Sequence, residues 1–116
     1  CTVIGIFERQ RKNNEALTIT GDGQQRRDFT HVDDIVEGVI KCGFDLISNE
    51  NSKANGKTFE LGRGVNYSIN EVANIFGGEK KYIPSKKGET RDTLCVDLKA
   101  SELLNWKPKR NLEDYI

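Results

Sequence analysis

The chain has 116 residues, with 18 Lys plus Arg balanced by 18 Asp plus Glu, so its formal net charge is zero. This balance excludes a general nucleic-acid binder, which needs an excess of positive charge to neutralise phosphates. Hydrophobic residues make up 35% of the chain and glycines number 11, a composition low in core-forming side chains for a self-sufficient globule. We therefore expect one small domain over residues 1–116 that normally packs against another surface.

The chain has three cysteines, Cys1, Cys42 and Cys95, and one histidine. An odd number of widely spaced cysteines argues against a disulfide framework, and the lack of paired Cys and His residues argues against a zinc site. No apolar run approaches the roughly 20 residues that a membrane-spanning helix needs. The sequence predicts reduced thiols, no metal site, no membrane span and a cytoplasmic location.

The first half of the chain predicts two helices and two short strands. The first helix carries an apolar face of Val3, Ile4 and Phe7 and is expected to be cut at its start. In chain order the predicted elements are a helix over 3–13, a strand over 16–20 that ends at a glycine turn, a strand around 29–32, and a helix capped by Asp33 or Asp34.

The second half predicts further helices and strands in alternation. Ser68 and Glu71 have the spacing of a capping box, and the helix that they begin is expected to end at Gly77-Gly78. The other predicted elements are a surface loop over 48–57, strands over 58–62 and 80–84, a polar loop over 85–93, an extended piece over 94–96, a helix capped by Asp97, and a last helix from Asn111. Both ends of the chain are expected to be truncated helices, and the sum predicts a small α+β unit.

Two polar stretches are candidate binding sites. Gly21 and Gly23 permit a tight turn and are followed by Arg26 and Arg27, whose guanidinium groups suit phosphate oxygens. The second stretch, over 86–92, places several cations and a carboxylate on one loop. The residues alone favour solvated turns with weak surface ion pairs, because a lone Gly-x-Gly is weak evidence for a phosphate site.

Three ordered motifs resemble one family. The segment GDGQQRRDFTHVDD resembles the GDGxQxRDFxxVxD stretch of the extended short-chain dehydrogenase/reductase family, which includes UDP-glucose 4-epimerases and nucleotide-sugar dehydratases. FELGRGVNYSINEV and KKGETRDTLCVDLKASELLNWKP resemble two later stretches of the same family, in the same order. Together the motifs cover nearly all of the chain, which makes the resemblance much more specific than any one motif.

The resemblance implies a two-part enzyme, in which an N-terminal Rossmann domain binds NAD and a smaller C-terminal domain closes over a nucleotide sugar. This chain is then the C-terminal domain without the Rossmann domain. The resemblance implies that Arg27 lies against the substrate diphosphate, that Lys86 is a second diphosphate ligand, and that Glu89 accepts hydrogen bonds from the ribose.

Two positions depart from the family pattern. Lys86 stands where the family has arginine, so it keeps the charge but lacks the planar fork of donors, and Arg91 or Lys87 is placed to compensate. Thr20 stands where many members carry an aromatic residue that packs near the base. A UDP-sugar is therefore the preferred ligand, while the identity of the base stays open.

The chain lacks the motifs that would make it catalytic. A Gly-x-x-Gly-x-x-Gly dinucleotide fingerprint does not occur, and Tyr82 with Lys86 is the one match to a Tyr-x-x-x-Lys proton-transfer pair. Pro84 lies between those two residues, in a predicted strand-to-loop segment where the family has a long helix. We therefore expect no catalytic and no cofactor-binding residue in this chain, with NAD belonging to the parent enzyme.

These observations lead to one functional hypothesis with two alternatives. The chain is expected to be the substrate-binding portion of an NAD-dependent nucleotide-sugar epimerase, inactive alone. One alternative is a fragment of a 4,6-dehydratase or decarboxylase, and the other is a standalone nucleotide-sugar-binding or structural module. Without its Rossmann partner, the chain is expected to expose the apolar face of Val3, Ile4 and Phe7 and to self-associate.

Overall fold

The computed structural model describes residues 2–48 and 51–116, which form two compact units. The first unit contains the described residues up to Arg27 together with Tyr67–Thr93 and Ile116, and the second contains Asp28–Asn66 and Leu94–Tyr115. In chain order the elements are α1 (Val3–Lys12), β1 (Leu17–Thr20), β2 (Arg26–Arg27), α2 (Val32–Ser48), β3 (Tyr67–Ser68), α3 (Ile69–Phe76), β4 (Lys80–Ile83), α4 (Lys99–Leu104) and α5 (Leu112–Tyr115). The mixture of helices and short strands confirms the predicted α+β class.

The first unit is built on a parallel pair of strands, β1 and β4. Thr20 aligns with Ile83 at the end of both strands. Leu17 and Ile19 of β1 are almost fully buried, while the residues between them are half-buried. This alternation is what a strand with one face on a core requires, and it confirms the strand predicted over 16–20.

Two helices of the first unit, α1 and α3, share an aromatic contact in its core. The rings of Phe7 and Phe76 meet edge to face, with centroids 5.6 Å apart and an interplanar angle of 82°. Arg11 places its guanidinium 4.7 Å from the Phe76 ring centroid, within the range of a cation–π contact. The core is therefore closed on its α1 side by a buried ring and a surface cation.

The capping box predicted at the start of α3 is present. The backbone N–H of Glu71 donates to the Ser68 hydroxyl at 3.0 Å, and the N–H of Ser68 donates to the Glu71 carboxylate at 2.8 Å. The helix ends at Gly77, whose φ of +78° favours glycine. Both boundaries follow from side-chain and backbone chemistry that is local in sequence.

The second unit is organised around the buried carboxylate of Asp34 on α2. Arg110 donates to it from Nη1 at 2.6 Å and from its backbone N at 3.0 Å, and the N–H of Lys109 donates at 3.1 Å. Trp106 donates its indole N–H to the Asp34 carbonyl at 2.7 Å. Burial alone would raise the pKa of the Asp34 carboxyl, but the hydrogen bonds from Arg110 and Lys109 outweigh it and lower the pKa.

The second short strand lies earlier than predicted. Instead of a strand around 29–32, β2 is Arg26–Arg27, which pairs antiparallel with β3, and Val32 already belongs to α2. His31 acts at the start of that helix, because its Nδ1 accepts the N–H of Asp33 at 3.0 Å. The prediction that Asp33 or Asp34 caps α2 is therefore wrong: the cap is the ring one residue before the helix.

The strand predicted over 58–62 is absent from the described part of the chain, although the segment has strand-forming residues. Its backbone finds side-chain partners instead: the N–H of Glu60 donates to Asp97 at 3.1 Å. Just after it, the N–H groups of Arg63 and Gly64 each donate to Asp28 at 3.0 Å. In this segment, carboxylates accept hydrogen bonds from backbone N–H groups that would otherwise donate to a neighbouring strand. The piece over 94–96, predicted only to be extended, is outside any helix or strand.

The predicted exposed apolar face is only partly correct. Phe7 is fully buried in the first unit, whereas Val3 and Ile4 are half-buried. The large exposed apolar side chains are concentrated on α2 instead. On that helix they are Val32, Val36, Val39, Ile40, Phe44, Leu46 and Ile47.

The remaining expectations concern the ends and one loop. The Asn111 side chain accepts the N–H of Asp114 at 2.8 Å, which confirms it as the cap of α5. Asp97 accepts the N–H of Lys99 at 2.8 Å beside the first turn of α4. The start of the chain at Cys1, and residues 49–50 of the predicted loop over 48–57, lie outside the described residues.

Candidate functional site

The candidate site lies where the two parallel strands of the first unit end. The turn after β1 and the loop after β4 leave the same edge of the sheet, and the N–H of Gly21 donates to the Ile83 carbonyl at 2.8 Å. Loops at the carboxyl ends of parallel strands commonly carry ligand sites. A pocket of about 310 Å³ opens between them. It is lined by Thr20, Gly21, Asp22, Gln25, Ser85, Lys86, Gly88, Glu89, Thr90 and Arg91.

The glycine turn at this edge is fixed by a neighbouring asparagine. Gly23 has a φ of +72°, and a Cβ there would collide with the Asn70 amide. Asn70 donates from Nδ2 to the Asp22 carbonyl at 3.0 Å and accepts the Tyr82 hydroxyl at 2.8 Å. The turn therefore requires glycine for both its conformation and its space.

Arg91 and Asp22 pair beside the pocket through two contacts. Nη1 lies 2.9 Å from Oδ1, and Nη2 lies 3.2 Å from Oδ2. The hydrogen bonds from Arg91 lower the pKa of the Asp22 carboxyl, with the N–H of Gln24 adding to the shift, and Asp22 in turn raises the pKa of Arg91. The guanidinium is thus already engaged by a carboxylate.

Glu89 lies among three donors on the other side of the pocket. The Thr20 hydroxyl is 3.4 Å from both carboxylate oxygens, and Gln25 Nε2 is 3.5 Å from Oε1. Arg27 Nη2 is 3.8 Å from the same Oε1. These contacts are long for charge-assisted hydrogen bonds, so they orient the carboxylate without saturating it, and it can still accept from a ligand.

Arg27 is oriented by backbone carbonyls. Its Nη1 donates to the Arg26 carbonyl at 2.8 Å and to the Arg91 carbonyl at 3.2 Å. The same segments are joined by main-chain bonds, since the N–H of Arg26 donates to Arg91 and the N–H of Thr93 donates to Arg26. Arg27 is not among the lining residues, but its ion pair with Glu89 places its guanidinium next to the pocket.

Lys86 lines the pocket from the loop after β4 and is exposed. In the described part of the chain its ammonium group has no carboxylate within ion-pair distance. The loop turns back at Gly88, with a φ of +81° that favours glycine, before it reaches Glu89. The structure therefore brings all four predicted residues, Arg27, Lys86, Glu89 and Arg91, to one region of the first unit.

Two residues that contribute to this region were not predicted from the sequence as part of the site, and Thr20, noted there only as a departure from the family pattern, contributes as well. Gln25 is buried beneath the pocket, Asn70 fixes the glycine turn, and Thr20 provides a hydroxyl to Glu89. A polar glutamine between a strand and two arginines gives no sign of being buried. Asn70 follows the capping serine at a position that reads as helix surface.

The described residues do not fit an NAD site. A dinucleotide fingerprint needs a glycine-rich turn that leads from a strand into a helix, so that the helix N-terminus faces the pyrophosphate. Here the glycine turn after β1 leads into β2, a two-residue strand. We therefore derive no step of a reaction through NAD on these residues.

Residues 2–48 and 51–116 contain neither a metal cluster nor a membrane-spanning helix. Within these ranges no cluster of three or more His, Cys, Asp or Glu side chains is arranged to hold a metal ion. Cys42 and Cys95 are free thiols. None of the helices described is long and apolar enough to cross a membrane.

Fold and pocket together define a small α+β unit with a cation-bearing pocket at the ends of two parallel strands. The chain belongs to the NAD-dependent epimerase/dehydratase family, since residues 2–116 match the family model described as GDP-mannose 4,6 dehydratase. This confirms the family that the sequence motifs resemble.

Individual relatives support the same family. The chain is 28% identical to the UDP-glucose 4-epimerase of Mycolicibacterium smegmatis, over 98% of this chain and 36% of that protein. It is 32% identical to UDP-glucuronic acid decarboxylase 4 of Arabidopsis thaliana, over 92% of this chain and 24% of that protein. The UDP-glucuronic acid 4-epimerase of Bacillus cereus, solved with UDP-glucuronic acid and NAD, superposes with a TM-score of 0.83, at 27% identity over 97% of this chain and 36% of that chain.

The chain thus spans about a third of the length of three curated epimerase relatives that it matches.

Proposed function

We propose that this chain is the substrate-binding portion of an NAD-dependent nucleotide-sugar epimerase similar to UDP-glucose 4-epimerase. The observation that carries the proposal is the arrangement of Arg27 and Glu89, 3.8 Å apart at one pocket that Lys86 also lines. The arginine and the lysine bind the diphosphate, and the carboxylate accepts from the ribose. UDP-sugars are the preferred ligands.

The chemistry of each group suits its role. Arg27 keeps Nη1 on two carbonyls, so its guanidinium is held in place while Nη2, 3.8 Å from Glu89, is available to phosphate oxygens. Lys86 acts as a point charge from a flexible side chain and provides attraction without fixed geometry. A diphosphate is attracted to these two cations more than to Arg91, because Arg91 is already paired with Asp22.

We assign no catalytic role to this chain. In this proposal NAD and the proton-transfer groups belong to an N-terminal Rossmann domain, which accounts for the remaining length of the relatives. The chain alone is then inactive, because half of the ligand contacts and all of the redox chemistry lie on the other domain. Free thiols at Cys42 and Cys95 support a reducing, cytoplasmic location.

Two other functions compete with this proposal. A decarboxylase or 4,6-dehydratase is favoured by the 32% identity to the Arabidopsis UDP-glucuronic acid decarboxylase and by the description of the matching family model. A standalone nucleotide-sugar-binding module is the alternative of a different class. It requires micromolar or tighter binding by this chain alone, which a site that lacks half of its contacts does not reach.

The apolar stripe of α2 is a surface through which this chain can contact another domain or a second copy of itself. Val36, Val39, Ile40 and Phe44 are each about half or more exposed and recur at helical spacing. We infer that this stripe packs against the Rossmann domain in the full enzyme, and that it makes the isolated chain self-associate.

The purified chain tests these functions directly. Calorimetric titration with UDP-glucose, UDP-glucuronic acid and GDP-mannose should give weaker than micromolar binding, with the two UDP-sugars ahead of the GDP-sugar. Incubation with NAD and each sugar should give no epimerised, dehydrated or decarboxylated product. Micromolar binding would favour the standalone module, and appreciable turnover would overturn the proposal.

A further inference from the structure

Gln25 is a buried polar side chain beneath the pocket that the proposed function leaves without a role. Only 5% of the residue is exposed, and it follows the glycine turn directly. The main-chain carbonyl of Gln25 accepts the N–H of Ile69 at 3.1 Å, and its side-chain Nε2 donates to the main-chain carbonyl of Thr20 at 3.0 Å. Gln25 is therefore fixed at both ends, to α3 and to the end of β1.

The second Nε2 proton of Gln25 points toward a chain of polar groups. Nε2 lies 3.4 Å from the Thr20 hydroxyl and 3.5 Å from Glu89 Oε1. Because the hydroxyl oxygen accepts from Gln25, its own proton is directed toward the Glu89 carboxylate, 3.4 Å away. Such linked hydrogen bonds polarise and orient one another.

These contacts divide the two oxygens of Glu89 unequally. Oε1 lies near three donors, on Gln25, Thr20 and Arg27. In the described part of the chain, Oε2 has the Thr20 hydroxyl alone, at 3.4 Å. An ionised carboxylate can accept about four hydrogen bonds, so Oε2 is the oxygen left open to a ligand in the pocket.

We propose that Gln25, acting through Thr20, is a positioning residue that aims Oε2 of Glu89 at a ribose hydroxyl and so makes the pocket select ribonucleotides over deoxyribonucleotides. This inference rests on the proposed function, since it needs a nucleoside diphosphate in the pocket. It adds a source of selectivity that is independent of the base and of the sugar attached to the diphosphate. It also gives Thr20, where many family members carry an aromatic residue, a polar function.

The test measures the ratio of dissociation constants for UDP, 2′-deoxy-UDP and 3′-deoxy-UDP by NMR titration of the full chain. A hydrogen bond to a charged acceptor predicts a preference of about tenfold or more for UDP over at least one deoxy analogue. Gln25→Met removes both donors at similar volume, and Thr20→Val removes only the hydroxyl. Each variant should reduce the preference to below about threefold.

Gln24→Met is the matched control. Its side chain is exposed one residue away, so the preference should stay at the parent value. If Gln25→Met does not fold, Thr20→Val decides, because it leaves the hydrogen bond from the Gln25 side-chain amide to the Thr20 main-chain carbonyl in place. The inference would be overturned if the parent chain bound UDP without preferring it to the deoxy analogues. It would also be overturned if a folded Thr20→Val variant kept that preference. In both cases UDP binding itself would stand. A parent that binds no UDP would overturn the proposed function and this inference together.

Discussion

Arg91 and Asp22 form a two-point ion pair at the pocket, with Nη1 2.9 Å from Oδ1 and Nη2 3.2 Å from Oδ2. The sequence leads one to expect that Arg91 or Lys87 compensates for the lysine at position 86. In the structure the fork of donors of Arg91 contacts a carboxylate, and Lys86 is the lining cation without such a partner in the described residues. Arg91 therefore joins the loop after β4 to the glycine turn through Asp22, and its binding of a diphosphate stays a prediction.

Releasing Arg91 should strengthen diphosphate binding. Asp22→Asn removes one negative charge from the pocket and frees the guanidinium, so affinity for UDP should rise by about twofold or more at low ionic strength and less at high salt. Glu79→Gln, which removes a carboxylate away from this pocket, is the control and should leave the affinity unchanged. Equal or weaker binding by Asp22→Asn would show that the ion pair supports the bound state.

The buried Asp34 should make the second unit sensitive to acid. Its pKa is lowered from 3.8 in the folded chain, so its contribution to stability is complete above the unfolded value and is lost as the pH falls through the folded one. Asp34→Asn should lower the free energy of unfolding at pH 7 by about 3 kcal/mol, because three donors lose a charged acceptor.

Chemical denaturation between pH 2 and 7 measures this effect. The loss caused by Asp34→Asn should begin to shrink as the pH falls below the unfolded pKa, because the unfolded parent then binds a proton that the folded parent does not. It should be smallest below the folded pKa, where the parent carboxyl is protonated in both states. Asp33→Asn, at an exposed carboxylate one residue earlier, should change little at any pH. If Asp34→Asn leaves the free energy of unfolding at pH 7 unchanged, the network around Arg110 does not stabilise the fold.

Two phenylalanines on different helices should differ sharply in their effect on stability. Phe7 is fully buried against Phe76, so Phe7→Ala should destabilise the first unit by about 3–5 kcal/mol. Phe44 is 66% exposed on α2, so Phe44→Ala should leave thermal stability nearly unchanged. If Phe44→Ala lowered the stability as much as Phe7→Ala, this would indicate that α2 is covered in solution.

The stripe on α2 should drive self-association of the isolated chain. Val39→Lys with Phe44→Lys places two charges in the stripe and should reduce the concentration-dependent increase in mass seen by light scattering. Glu8→Lys changes the net charge by the same amount on α1, and should leave the mass increase as it is. A parent chain that stays monomeric at high concentration would contradict the prediction.

The sequence predicts well wherever the decisive contacts are local. The capping box of Ser68 and Glu71 and the cap at Asn111 depend on groups three residues apart, so spacing is sufficient to find them. Alternating burial likewise identifies β1. The family motifs identify Arg27, Lys86 and Glu89 as candidates, but their joint placement depends on the parallel pairing of β1 with β4.

The sequence predicts poorly where long-range partners decide. The position of β2 depends on pairing with Tyr67–Ser68, some 40 residues away, and the segment over 58–62 gives an N–H group to Asp97 instead of a neighbouring strand. The sequence predicts that Phe7 lies on an apolar face that packs against another domain, because its partner Phe76 lies on a helix far along the chain. Gln25 was missed for the same reason, since its burial depends on Thr20 and on Ile69 of α3.

NMR titration of the ¹⁵N-labelled chain with UDP tests the central claim most directly. We predict saturable shifts confined to Arg27 and the residues that line the pocket, with an affinity weaker than micromolar. Arg27→Lys keeps the charge but loses the planar fork, so it should weaken binding by about tenfold, while Arg26→Lys should not. Shifts that do not saturate, that fall outside the first unit, or that survive Arg27→Lys unchanged would contradict the account.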